Sequence, residues 1–159
     1  MFKTKIRLAL LAAGLAAAPA VAMAADSGPA ATVNAFLDAF NRGDIKAAQA
    51  TNADDVVIID EVPPHVWRGP GAFQAWLGDL TKDGQANGQT DEKVTMGHLV
   101  RSQVDGDTGY AVMTVTFTYR QHGRRTIEPA EIAVALGKRD GAWKITGWAW
   151  AGTVPKAVH

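Results

Sequence analysis

From Lys93 to Ala151 the chain is a succession of β-forming runs cut by short glycine turns. Tyr110 to Gln121, "YAVMTVTFTYRQ", is β-branched and aromatic nearly throughout, the composition of a half-buried strand. "DGDTG" precedes it, "HGRR" follows it and "KRDG" closes the next run. Strands are therefore expected over Lys93–Val104, Tyr110–Gln121, Thr126–Leu136 and Trp143–Ala151. Turns this short join antiparallel neighbours, and a meander of long twisted strands curls instead of lying flat. Pro129 has no N–H for a ladder, so it belongs at an edge, a bulge or a strand start.

The first half reads as helical. Ser27 is placed to cap a helix whose first turn holds Pro29, and Val33, Phe36, Leu37 and Phe40 share one face of it. "NRGD" stops it, with Gly43 as the left-handed residue. Asp44 then caps a short helix over Ile45–Ala50, and Val56–Ile59 forms a strand. A third helix starts at Gly69–Pro70 and buries Phe73, Trp76, Leu77 and Leu80. "TKDGQANGQTDE" reads as a polar loop. The expected class is α+β: a cone-shaped, strongly curved antiparallel sheet with three N-terminal helices packed on its concave face, leaving a hollow where helices and sheet diverge.

Residues 1–24 have the pattern of a signal peptide. Lys3, Lys5 and Arg7 precede an apolar run from Leu8 to Ala18, and Ala22-Met23-Ala24 offers a small-residue cleavage site before Ala25. The run is short for a membrane span. One domain is expected over residues 25–159, periplasmic or secreted, with no membrane attachment once the leader is removed. Lys and Arg number 16, as do Asp and Glu, so loss of the basic leader leaves a mildly acidic chain. That balance gives no reason to expect nucleic acid. Cysteine is absent, which excludes disulfides and a thiol nucleophile.

The chemistry is expected around "NADDVVIIDEVPPHVWRG", Asn52 to Gly69, where an apolar strand runs into Asp60 and Glu61. Desolvation at the mouth of a hollow raises a carboxylate toward useful base strength, which makes Asp60 the candidate base. A solvated strand-end aspartate is the plainer alternative. If the strand continues, alternation sends Glu61 to the opposite face, toward solvent. His65 is a candidate proton-sharing partner, against a plain exposed loop histidine. Trp67 either stacks on a ligand or pins the loop. His98, His122 and His159 show no metal-ligand spacing, and Asp60 with His65 is short of the three ligands a catalytic metal needs. Neither a metal nor a cofactor is expected. Met113, Val115, Phe117 and Tyr119 share the inward face of their strand, and Tyr119 offers a hydroxyl there. Trp148 and Trp150 alternate away from Trp143 and Ile145, so they are expected on the convex face as a homodimer surface. A β-bulge turning one of them inward is the alternative.

"AFLDAFNRGDIKAAQATNADDVVIID" (residues 35–60), "RGPGAFQAWL" and "GAWKITGWAWAG" together resemble the nuclear transport factor 2-like superfamily, and within it the SnoaL-like proteins and ketosteroid isomerases. The resemblance runs through residues 25–159. It implies Asp60 at the position of a general base and Phe36 where that family has a donor tyrosine. A second, protonated-acid donor falls on Glu131 or, counted without a gap from Thr126, on Ile132. The implied pocket wall takes in Phe36, Phe40, Trp67, Trp76, Met113, Phe117 and Glu131. Missing one oxyanion donor costs about 10²–10³ in rate, which argues against steroid isomerisation. The readings that remain are acid–base chemistry on a small hydrophobic molecule with Asp60, His65 and Tyr119, binding of such a molecule without catalysis, and a protein-interaction module.

Overall fold

The computed structural model describes residues 28–158. The leader, the Ser27 cap and His159 lie outside the described residues. Helix α1 (Pro29–Asn41) starts at Gly28 with Pro29 in its first turn, where a missing N–H costs nothing. Gly43, at φ +70°, ends it. Asp44 caps α2 (Ile45–Ala50) by accepting from the Ala47 N–H at 3.0 Å. Strand β1 (Asn52–Ile59) and the two-residue β2 (Val66–Trp67) follow, then α3 (Ala72–Ala86).

The long strands are β3 (Gln89–Asp105), β4 (Thr108–Gln121), β5 (Arg124–Arg139) and β6 (Ala142–Gly152), with a short β7 (Lys156–Ala157). The sheet order is β2-β1-β6-β5-β4-β3, with β7 on β5. The meander is antiparallel as expected, but β1 joins β6 in parallel. His122-Gly123 and Asp140-Gly141 both carry positive φ at consecutive residues, the hairpin geometry that follows the right-handed twist of the flanking strands.

The loop expected at Thr81–Glu92 is a correction. Helix α3 runs on to Ala86, and β3 begins at Gln89. Lys82, Gln85 and Ala86 are adequate helix formers, and one internal glycine costs only about 1 kcal/mol. Gly84 is buried, and a β-carbon there would stand 3.0 Å from Glu92 Oε1. Pro129 meets its expectation. It lies within β5, but its carbonyl points past the end of β6 and accepts from Thr153 N and Oγ1 at 3.1 and 2.7 Å. Its nitrogen, on the same flank, faces no strand.

The concave face of the curved, unclosed sheet carries the core. Ile58, Met113, Ile132, Val134, Leu136 and Ile145 meet Val33, Phe36, Phe73 and Trp76 of the helices. Asn41 fastens α1 to β3 by a two-way amide bond with Val94, accepting at 2.9 Å and donating at 2.6 Å. Among the described residues no helix is long and apolar enough to cross a membrane.

The tryptophans of β6 are the main correction. Ala135 pairs with Gly147, but Leu136 pairs with Ile145, so Thr146 is an extra residue. This bulge reverses the alternation, since one residue changes the face. Trp148 is 5% exposed and belongs to the core, while Trp143 and Trp150 pack against it. No exposed tryptophan pair is left to join two copies. Trp148→Ala is expected to cost about 3–5 kcal/mol in urea denaturation, as for a core aromatic. A change within about 0.5 kcal/mol, the surface value, would overturn the inward placement.

Candidate functional site

The helices and sheet diverge over a pocket of about 90 Å³. Its wall is aromatic: Phe36 and Phe40 from α1, Trp76 from α3, Phe117 from β4, and Trp148 and Trp150 from β6. These rings brace one another. Trp76 and Trp148 meet edge to face at 4.9 Å between centroids, Phe40 lies 5.6 Å from Trp76, and Phe117 meets Trp150 edge-on at 6.4 Å, all within the range of favourable aromatic pairs.

Acidic groups share the lining. Asp60 follows β1 and is buried. Its Oδ1 accepts from the Val62 N–H at 3.1 Å and its Oδ2 from the Trp76 indole at 3.0 Å, so both oxygens are held by fixed donors. Glu61 is exposed as a residue, yet its carboxylate reaches the pocket. β1 ends at Ile59, so strand alternation no longer governs its direction. Glu128 of β5 is only 1% exposed, and its Oε1 accepts from Trp150 Nε1 at 3.0 Å.

Glu61 and Glu128 meet over Gly152. A β-carbon on that glycine would stand 2.6 Å from Glu61 Oε2, would overlap Glu128 Oε1, and would lie 2.9 Å from Trp150 Nε1. Burial, the Glu128 charge and a hydrogen bond between the two side chains push the Glu61 carboxyl up to about 7, with smaller contributions from Asp60 and Asp83. Two carboxylates in one site resist ionising together. Burial, then Glu128 and Glu61, also raise the Tyr119 phenol, which therefore stays a donor. Asp83 and Glu92 complete the acidic lining, and burial raises the Glu92 carboxyl. Among the described residues, no group of three or more His, Cys, Asp or Glu could hold a metal ion.

Asp60, Tyr119, Phe36, Phe40, Trp76 and Phe117 thus line one pocket; the other expected residues lie elsewhere. His65 is exposed, and its Nδ1 lies 3.3 Å from the backbone carbonyl of Asp60, not the carboxylate. The expected Asp60–His65 pair does not form. Trp67 is buried, but it donates to Asp79 Oδ2 at 3.0 Å and so ties β2 to α3 outside the pocket. Met113 is core beneath the wall. Glu131 is exposed on the opposite sheet face. Period-two alternation carries Ile132, Val134 and Leu136 inward, and the acid in phase with them is Glu128. That phase was the available signal for Glu128. Glu61, Trp148 and Trp150 had none, because a turn and a bulge place them.

A curved, unclosed sheet cupping N-terminal helices is the architecture of the nuclear transport factor 2-like, ketosteroid isomerase-like superfamily. The chain belongs to the SnoaL-like domain family, whose model matches residues 33–146. Similar solved structures include hexachlorocyclohexane dehydrochlorinase LinA-type3 from Novosphingobium barchaimii, with 15% identity, 80% of this chain and 85% of that one covered, and a TM-score of 0.66. A ketosteroid isomerase-like protein from Erwinia carotovora atroseptica shares 23% identity over 79% of this chain and 94% of that one, at a TM-score of 0.62. A proposed scytalone dehydratase from Novosphingobium aromaticivorans shares 14% identity over 80% and 83%, also at 0.62. These similarities establish the fold. No curated protein matches the chain.

The Glu61–Glu128 contact has a stability signature. The folded state holds the Glu61 proton up to about pH 7, whereas an unfolded glutamate releases it near 4.3. Between those values the native state binds more protons, so stability is full at low pH and falls as pH rises through the folded pKa. Glu61→Gln is expected to flatten that fall and to stabilise the protein at pH 8 by about 1 kcal/mol, a value discounted for solvent screening. Thermal melts from pH 4 to 8 measure it, and an unchanged slope would refute the contact. Gly152→Ala is expected to part the two carboxylates and lower the Glu61 midpoint in a carboxyl NMR titration while the fold persists.

Proposed function

We propose that the mature chain is an exported, cofactor-independent protein that takes a small hydrophobic molecule into the aromatic pocket and moves a proton on it. The carrying observation is the convergence of Glu61 and Glu128 over Gly152 against an aromatic wall. A carboxyl with its midpoint near 7 accepts and donates protons with comparable ease at neutral pH. Glu61 is the proton-transfer residue in this reading, and Glu128 holds its partner position. Asp60, the base that the family resemblance implies, contributes a fixed carboxylate.

Developing negative charge on the substrate needs donors, and Phe36 supplies none. Tyr119, which carries a hydroxyl, lines the pocket. The Trp148 indole N–H also belongs to a lining residue, and it is buried with no partner among the described residues. Two such donors support elimination or isomerisation chemistry. Dehydrochlorination and dehydration, the reactions in the names of two fold relatives, each remove a proton and a leaving group. That parallel supports the reaction class and leaves the substrate open.

Native mass spectrometry of the exported protein is expected to show a co-purifying small apolar molecule. With that molecule or a close analogue as substrate, Glu61→Gln is expected to lower turnover by about 10²–10⁴, with a much smaller effect on binding. The wild-type rate is expected to follow a titration near pH 7 that Glu61→Gln abolishes. Full turnover in Glu61→Gln would remove the acid–base role, and binding with no turnover in the wild type would leave a non-catalytic binder.

A further inference from the structure

Resting on the reading of the pocket as a small-molecule site, its lining also specifies the charge of the occupant. Asp60, Glu61, Asp83, Glu92 and Glu128 line it, and among the described residues no Lys, Arg or His does. Ion pairs among the described residues join Lys82 to Asp79, Arg120 to Asp91 and Lys138 to Asp107; none involves a pocket carboxylate.

Glu128 is the sharpest case. It is 1% exposed, and it meets another carboxylate and one neutral indole N–H. Burying a carboxylate without a counter-charge is costly, and among the described residues no cation pairs with it. The aromatic wall around it is itself a cation surface, since ring faces of Trp, Tyr and Phe attract ammonium groups. The Trp148 N–H belongs to a lining residue and is buried without a hydrogen-bond partner among the described residues. The carboxylates do not converge in the manner of metal ligands, which favours an organic cation with a body of its own.

We propose that the pocket selects a small protonated amine with an aromatic or apolar body, the ammonium lying among the carboxylates near Glu128 and the body against Trp76, Trp148 and Phe117.

Isothermal titration calorimetry on the full mature chain at pH 7.5 tests this with three probes of one shape: 2-phenylethylamine, 2-phenylethanol and 3-phenylpropionate. The amine is expected to bind at least about tenfold more tightly than the alcohol, and the carboxylate is expected not to bind measurably. Added KCl is expected to weaken the amine and leave the alcohol unchanged. Glu128→Gln, which retains an acceptor for Trp150, is expected to reduce amine affinity about tenfold with no effect on the alcohol. The salt dependence decides the question if that variant does not fold. Equal affinity for amine and alcohol, or preference for the carboxylate, would overturn the cation proposal and leave the apolar pocket standing. Binding of none of the three would remove both the proposal and the small-molecule reading beneath it.

Discussion

Strand β6 pairs with β5 so that Ala135 faces Gly147 and Leu136 faces Ile145, with Thr146 as the extra residue. Without that insertion, a regular strand holding Trp143 and Ile145 inward would point Trp148 and Trp150 outward. With it, all four contribute to the concave side. The consequences reach well beyond one strand. Trp148 stacks edge-on against Trp76 at 4.9 Å and lies 6.0 Å from Phe36, so it couples the sheet to α1 and α3. Trp150 reaches Glu128. The pocket wall and the anchoring of its most buried acid both depend on a single β-bulge, which belongs with the bulges that re-aim side chains near functional sites.

The second organising constraint is the clustering of carboxylates in an apolar setting. Three different solutions to desolvation occur side by side. Asp60 has both oxygens satisfied by neutral donors. Glu61 shares a hydrogen bond with Glu128 and is raised to about 7. Glu128 retains one indole donor. Gly152 makes the Glu61–Glu128 contact geometrically possible, because any β-carbon would occupy the same space. The expected polar partner His65 stands outside, its ring beside a backbone carbonyl. The site is therefore built from carboxylates, aromatic rings and a phenol, and lacks the carboxylate–imidazole pair that the strand-end motif suggested.

Much of this architecture was legible in the chain. The β-branched run at Tyr110–Gln121 and the spaced glycine turns specify an antiparallel meander, and the α1 stripe of Val33, Phe36, Leu37 and Phe40 specifies its cover. The Asp44 cap and Gly43 stop follow directly from local chemistry. Asp60 in the pocket lining also follows, since strand and turn are contiguous. The outward tryptophans extended a period of two across a bulge, where the period does not hold. Glu131 came from the family count, whereas the regular alternation of β5 puts Glu128 in phase with Ile132. Glu61 is exposed as a residue, as alternation implied, but a turn brings its carboxylate to the pocket. Helix α3 overran a polar segment because tertiary packing of Gly84 against Glu92 outweighed a weak local breaker.

Local sequence alone determined the fold class, most of the elements, the inward stripes of α1 and β4, the family and the acid at the end of β1, because propensity, capping and alternation act over a few residues. Only the tertiary structure decided which acids meet, which indoles line the pocket and that, among the described residues, no cation accompanies them. Those facts depend on distances between a turn, β5 and the end of β6. A one-residue bulge sets those distances without leaving a compositional mark.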